Sequence, residues 1–299
     1  MPNELKKSHV SPVDAAPDDT VTMAPGALQL ARRWLPSLRF SLRTLLIFML
    51  LIGSGTTLWL NWSPWALERV LSAPPNESIE FLAISHRGDR LLSTSSLGTD
   101  RVWNLEHGEE QAVLRGHKIW SWCAAFSPDD RYVATVSDAA TARIWDAESG
   151  RMLFVLKGHT SQIWTGRYSH AGDKLVTASR DGTARIWNTH DGTVLAVLKH
   201  GKAVTSAMFS ADDQYVLTND WNYTARLWDA NTGNEIRVIT GNGADCLSAT
   251  FSHDGRMIVT TSKDMTATVW ETSTGRQLAV LRGHTGIIYS ARFSPDDRK

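Results

Sequence analysis

The sequence predicts an all-β fold of repeated four-stranded antiparallel sheets, preceded by a polar tail and one apolar span. Three observations carry that prediction. Five tryptophans, Trp103, Trp145, Trp187, Trp228 and Trp270, recur at intervals of 42, 42, 41 and 42 residues, each followed by Asn, Asp or Glu. A glycine stands five residues past every one of them: Gly108, Gly150, Gly192, Gly233 and Gly275. Nineteen residues before four of them stands Phe126, Tyr168, Phe209 or Phe251, with Ile84 in the first repeat, followed by Ser and a turn such as SPDD or SHDG. Self-similarity at a fixed period marks a repeat architecture.

Residues 1–40 mix Pro, Asp, Ser, Lys and Ala with little apolar periodicity and read as a disordered cytoplasmic tail. No charge falls between Arg43 and Glu68, a run of 24 residues. At about 1.5 Å per residue this run makes roughly 36 Å of helix, enough to cross a hydrocarbon core of about 30 Å. A transmembrane helix is therefore expected over 41–65. Trp59, Trp62 and Trp65 lie where an interfacial aromatic belt would sit, and Arg32, Arg33, Arg39 and Arg43 crowd the other end. That asymmetry keeps the N-terminus in the cytoplasm and makes a single-pass protein with its main body on the extracytoplasmic side. Two alternatives are a cleaved secretory signal, for which the 43-residue leading region is too long, and a helix buried in the protein. The stretch RFSLRTLL resembles the membrane-anchor start of large families of bacterial surface-associated proteins. Residues 66–76, ending SAPPNES, read as a linker.

From residue 77 to 299 each period holds four strand signals. The first ends at the aromatic residue; apolar runs such as YVAT, LVTA and MIVT form the second; the third ends in sequences such as RIW; MLFVLKGH, VLAVLKH or QLAVLRGH form the fourth. The recurrent glycine marks a turn that needs positive φ. A lone four-stranded sheet cannot bury both faces, so neighbouring copies must cover them.

With these motifs in place, residues 77–299 resemble the WD40 repeat family, whose repeat carries a Gly-His and a Trp-Asp pair and folds into a β-propeller. The resemblance implies five full blades plus a truncated sixth. The chain is expected to be a fragment or truncated copy of a longer propeller protein, or to have its sheet completed by another chain. The resemblance also implies a structural network of His, Ser/Thr, Asp and Trp within each blade. Repeat three has all four in His159, Thr177, Asp181 and Trp187, and should be the stiffest. Repeat two keeps His117, Thr135 and Trp145 but has Ala139 at the Asp position; repeat four has His200, Thr218, Asn222 and Trp228; repeat five has Asn242, Thr260, Asp264 and Trp270. Repeat one, with Pro75 and Leu97, is expected to lack the network.

In such a blade the start of the innermost strand and the turn between the second and third strands share one rim. The rim positions read Trp120, Trp122 and Asp138; Gln162, Trp164 and Arg180; Ala203, Thr205 and Trp221; Asp245, Leu247 and Lys263; then Ile287 and Tyr289. Between them the positions Ile79, Ile163, Val204, Cys246 and Ile288 should face the core. Trp and Arg are enriched at interface hot spots, and four Trp on adjacent blades would form an exposed apolar patch. The competing expectation is that Trp122 and Trp164 fold under their loops and fill gaps.

These residues point to a non-enzymatic, membrane-anchored scaffold binding a protein or peptide through this top rim. A small-molecule or glycan sensor in the central channel is the alternative. Hydrolysis at an unrecognised site is a third reading, although G-x-S-x-G, H-E-x-x-H and phosphate-loop motifs do not occur. No cofactor is expected. His117, His159, His200 and His284 fall in different blades and are not read as metal ligands. Residues 77–299 carry 24 basic and 26 acidic side chains, which argues against nucleic acid as partner. Cys123 and Cys246 sit at non-equivalent positions and read as small buried hydrophobes rather than a disulfide.

Overall fold

The structure is a computed structural model that describes Leu71, Pro74 and residues 77–222, 224–239 and 246–299. The expected tail over 1–40, the helix over 41–65 and most of the linker lie outside the described residues. Among the described residues no helix is long and apolar enough to cross a membrane.

Twenty strands form five four-stranded antiparallel sheets, each in simple sequence order. Blade one is β1 (Ile79–Ile84), β2 (Arg90–Ser95), β3 (Thr99–Asn104) and β4 (Glu109–Arg115). Blade two is β5 (Ser121–Phe126), β6 (Tyr132–Ser137), β7 (Thr141–Asp146) and β8 (Met152–Lys157). Blade three is β9 (Ile163–Tyr168), β10 (Lys174–Ser179), β11 (Thr183–Asn188) and β12 (Val194–Lys199). Blade four is β13 (Val204–Phe209), β14 (Tyr215–Asp220), β15 (Ala225–Asp229) and β16 (Glu235–Ile239), and blade five is β17 (Cys246–Phe251), β18 (Met257–Ser262), β19 (Ala267–Glu271) and β20 (Gln277–Leu281). Each period thus folds as the four strands its apolar runs predict.

Burial follows from stacking one blade on the next. The second strands are almost wholly buried, because both of their faces are covered, whereas outer strands such as β12 remain largely exposed. The cores lie between blades rather than within them. Trp187 joins Val136, Ile144 and Leu156 of blade two, and Trp228 joins Val176, Ile186 and Leu198 of blade three. A blade alone would leave each of these tryptophans in water. Inner strands β1, β5, β9 and β13 lie side by side in that order.

The recurrent glycines all have positive φ, between 67° and 74°. Gly233 has a second constraint, since a Cβ there would lie 2.6 Å from the Ala196 Cβ of the preceding blade. Two expected core positions depart from their equivalents. Ile163, Val204 and Cys246 are buried, whereas Ile288, in the segment after β20, is half-buried and Ile79 is exposed: it stands in β1, which packs against β5 on one side. Both cysteines are free and buried, and burial pushes the Cys246 thiol up to about 12. Residues 282–299 form no strand, but the Thr250 hydroxyl donates to the Ala291 carbonyl (3.1 Å), placing this segment beside β17.

The turns after the first strands alternate along the chain. Odd blades read S-H-x-G with Gly88, Gly172 or Gly255 at positive φ; even blades, and the segment after β20, read S-x-D-D with Asp130, Asp213 or Asp297 there. Each of these aspartates reaches the turn of the blade before it. Asp130 accepts the backbone N–H groups of His86 (2.8 Å) and Arg87 (2.9 Å); Asp213 takes those of His170 and Ala171, and Asp297 those of His253 and Asp254. The adjacent imidazole Nδ1 lies 3.0 Å, 3.4 Å and 3.2 Å from the respective carboxylate. Blades are therefore latched in pairs.

Candidate functional site

The structural network forms a directed chain of bonds. In blade three Trp187 Nε1–H donates to the Thr177 hydroxyl (2.8 Å), which lies 2.8 Å from His159 Nε2; His159 Nδ1 lies 2.8 Å from Asp181. A carboxylate only accepts, so Nδ1 carries the proton and the threonine O–H points at Nε2. Burial keeps the His159 imidazole below its ordinary pKa and hence neutral.

Blade two repeats the first two links, with Trp145 and His117 both 2.8 Å from the Thr135 hydroxyl, but Ala139 leaves the buried His117 Nδ1 without a partner among the described residues. Burial, with the Arg143 charge nearby, drives that imidazole down to about 3. Blade four corrects the expectation for Asn222, which is exposed. Asp220, two residues earlier at the end of β14, lies 3.3 Å from His200 Nδ1 and also caps the Thr224 N–H (2.9 Å). His200 and Trp228 still share the Thr218 hydroxyl. Blade one corrects the expectation of an absent network, because Trp103 Nε1–H donates to Ser93 (2.8 Å). A serine at the second-strand position suffices for that bond. In blade five Trp270 donates to Thr260 (2.8 Å) and Asp264 caps Thr266; Asn242 and Asp245 lie outside the described residues.

The rim is built by backbone bonds between the loop entering each blade and the second turn. Asp138 N–H donates to Trp120 O (3.0 Å), Arg180 N–H to Gln162 O (2.9 Å) and Trp221 N–H to Ala203 O (2.7 Å). These bonds bring together positions that the sequence assigned to one rim. A register irregularity recurs where the first strand starts: Trp164 and Thr205 are the extra residues opposite Ala178/Ser179 and Asn219/Asp220. Such a bulge re-aims the side chain it carries.

Trp122 and Trp164 both occupy bulges, and each meets an exposed tryptophan. The Trp120 and Trp122 rings lie 5.2 Å apart edge to face, and Trp164 of blade three lies 5.4 Å from Trp221 of blade four. Trp120 is 46% and Trp221 56% exposed; Trp122 and Trp164 are half-buried. The four tryptophans therefore do not form one fully exposed patch: two lie beneath and support two that face water. Trp122 Nε1–H donates to Asp138 (3.3 Å), which anchors its ring. Arg180, Lys263 and Tyr289 are exposed, and Gln162 is half-buried.

Neither the pairing aspartates nor Asp220 was singled out by sequence reasoning. The alternation of S-H-x-G with S-x-D-D was the available signal for the former, and the Asp closing TND for the latter. Among the described residues no group of three His, Cys, Asp or Glu side chains is arranged to hold a metal.

The chain matches the family description "WD domain, G-beta repeat" over residues 108–146, 150–188, 192–229, 233–271 and 275–299. Each match begins at a recurrent glycine. It is 47% identical over 47 residues to WD repeat and SOCS box-containing protein 1 of Xenopus tropicalis, and equally so to that of Danio rerio. Each alignment covers 15% of this chain and spans 11% of the relative's length. Among solved structures it resembles a chain of the crystal structure of the mitotic checkpoint complex, with a TM-score of 0.65 and 17% identity, covering 76% of this chain and 72% of that one. With five repeat matches, a propeller-like arrangement of four-stranded blades and the Trp–Ser/Thr bond in all five, the chain belongs to the WD40 family.

Proposed function

We propose that the protein is a membrane-anchored, non-enzymatic WD40 scaffold that binds a protein or peptide through its top rim. The observation that carries this reading is the pair of tryptophan contacts on blades two, three and four, in which exposed Trp120 and Trp221 rest on Trp122 and Trp164. Aromatic anchors held by neighbours lose little side-chain freedom on binding and bury large apolar areas. Asp138 and Arg180 beside them supply a polar margin of mixed sign, as interface rims do. Replacing Trp120 or Trp221 by Ala is expected to weaken partner binding by about 2 kcal/mol or more while leaving thermal stability nearly intact. Binding that is unchanged in both variants contradicts the reading.

The uncharged run between Arg43 and Glu68 supports an anchor with its N-terminus in the cytoplasm and the propeller outside. A reporter fused after Lys299 is expected to be active only on the extracytoplasmic side. Activity confined to the cytoplasm would overturn this orientation.

A further inference from the structure

Away from the rim, the far ends of the first strands line an open cavity of about 600 Å³. Its wall takes one residue from the same position of each successive inner segment: Ala83, Ala125, Arg167, Met208, Thr250 and Arg292. Four of these are uncharged and two are arginines from non-adjacent segments. Both arginines are exposed, and neither guanidinium is paired with a carboxylate among the described residues. No Asp or Glu is among the residues lining the cavity. His86, His170 and His253 also line it, each turned with Nδ1 toward the aspartate of the next blade or segment. Phe81, Tyr168, Phe251 and Phe293 contribute aromatic wall.

A cleft lined by charge of one sign, with apolar walls, concentrates the field of that charge and draws in counter-ions. The guanidinium fork matches the oxygens of a carboxylate or phosphate, and the aromatic wall suits a planar apolar body. A volume of several hundred cubic ångströms is in the range of small-ligand sites. We propose that this cavity binds a small aromatic anion, its phosphate or carboxylate group held by Arg167 and Arg292. The site is separate from the tryptophan rim and does not depend on the function proposed for it.

Titration of the full chain with phenyl phosphate, benzoate, inorganic phosphate and phenol, followed by calorimetry, tests the proposal. Saturable one-to-one binding is expected for phenyl phosphate or benzoate, whichever headgroup fits the forks, and weaker binding for inorganic phosphate and phenol. Arg167→Gln and Arg292→Gln should each weaken the preferred aryl anion about tenfold or more, the loss of a charge-assisted pair. Thr250→Glu, which sets a carboxylate in the same wall, should abolish binding, with circular dichroism confirming that each variant is folded. Trp221→Ala should leave the titration unchanged, so that failure at the rim is read separately. Absence of saturable binding for both aryl anions, equal binding of phenol, or affinity unaffected by the two arginine substitutions would overturn the proposal.

Discussion

Asp100 shows what a single departure from the repeat can do. Its equivalents in the other blades are Ala142, Ala184, Ala225 and Ala267, all buried, and Asp100 is buried as fully as they are. Oδ1 accepts the Ser95 N–H at 3.3 Å, while Oδ2 meets no partner among the described residues. Burial raises its carboxyl from 3.8 to about 7, so the folded protein retains a proton that the unfolded chain gives up. Its contribution to stability is therefore fully present below pH 4 and is lost as pH rises through about 7. Asp100→Ala is expected to stabilise the protein by about 2 kcal/mol at pH 8 and far less at pH 5, measured by denaturant unfolding at both values. Equal effects at the two pH values would contradict this assignment. His117 acts with the opposite sign: kept neutral at about 3, it makes the fold less stable as pH falls below 6.5.

At the scale of the blade, the hydrogen-bonded network grades the sheets. Thr177→Ala in blade three leaves the buried Trp187 Nε1–H without its acceptor and His159 Nε2 without its donor. A cost of about 2–3 kcal/mol is expected there, against about 1 kcal/mol for Ser93→Ala in blade one, where one bond is lost. Hydrogen exchange should accordingly be slowest in β10 and β11. The pairing aspartates add a second grading. Burial acts to raise the Asp130 carboxyl, but the two backbone N–H groups and the His86 imidazole outweigh it and hold it below the usual carboxylate range. The latch is thus intact above about pH 4 and is lost as pH falls through that depressed value. Asp130→Ala should hasten exchange in the turns around His86 before any other part of blade one. Strand number, strand order and the glycine turns were legible in the sequence because they repeat with the period. The bulges and Asp220 were less so, since a bulge leaves no composition signal and Asp220 lies two residues from the expected position. The aspartate latch joins residues about a full repeat apart, so a local pattern shows only its two halves.

For the molecule as a whole, the two ends of the inner strands differ in chemistry. One end carries tryptophan pairs braced by bulges and backbone bonds between loops; the other carries arginines and histidines around a cavity. That the start of the first strand meets the second turn within blades two, three and four was legible from strand direction, whereas the supporting place of Trp122 and Trp164 stood only as the competing expectation, because it depends on how neighbouring rings pack, for Trp164 and Trp221 across a blade boundary. Docking of a protein partner on the tryptophan side is tested most directly by placing a photo-crosslinking phenylalanine analogue at Trp120, Trp221 or, on the opposite end, Asp254 in the full chain. Irradiation should yield one and the same partner adduct from positions 120 and 221 and none from 254. Adducts arising from position 254 alone, or none from either rim position while the partner still co-purifies, would contradict it.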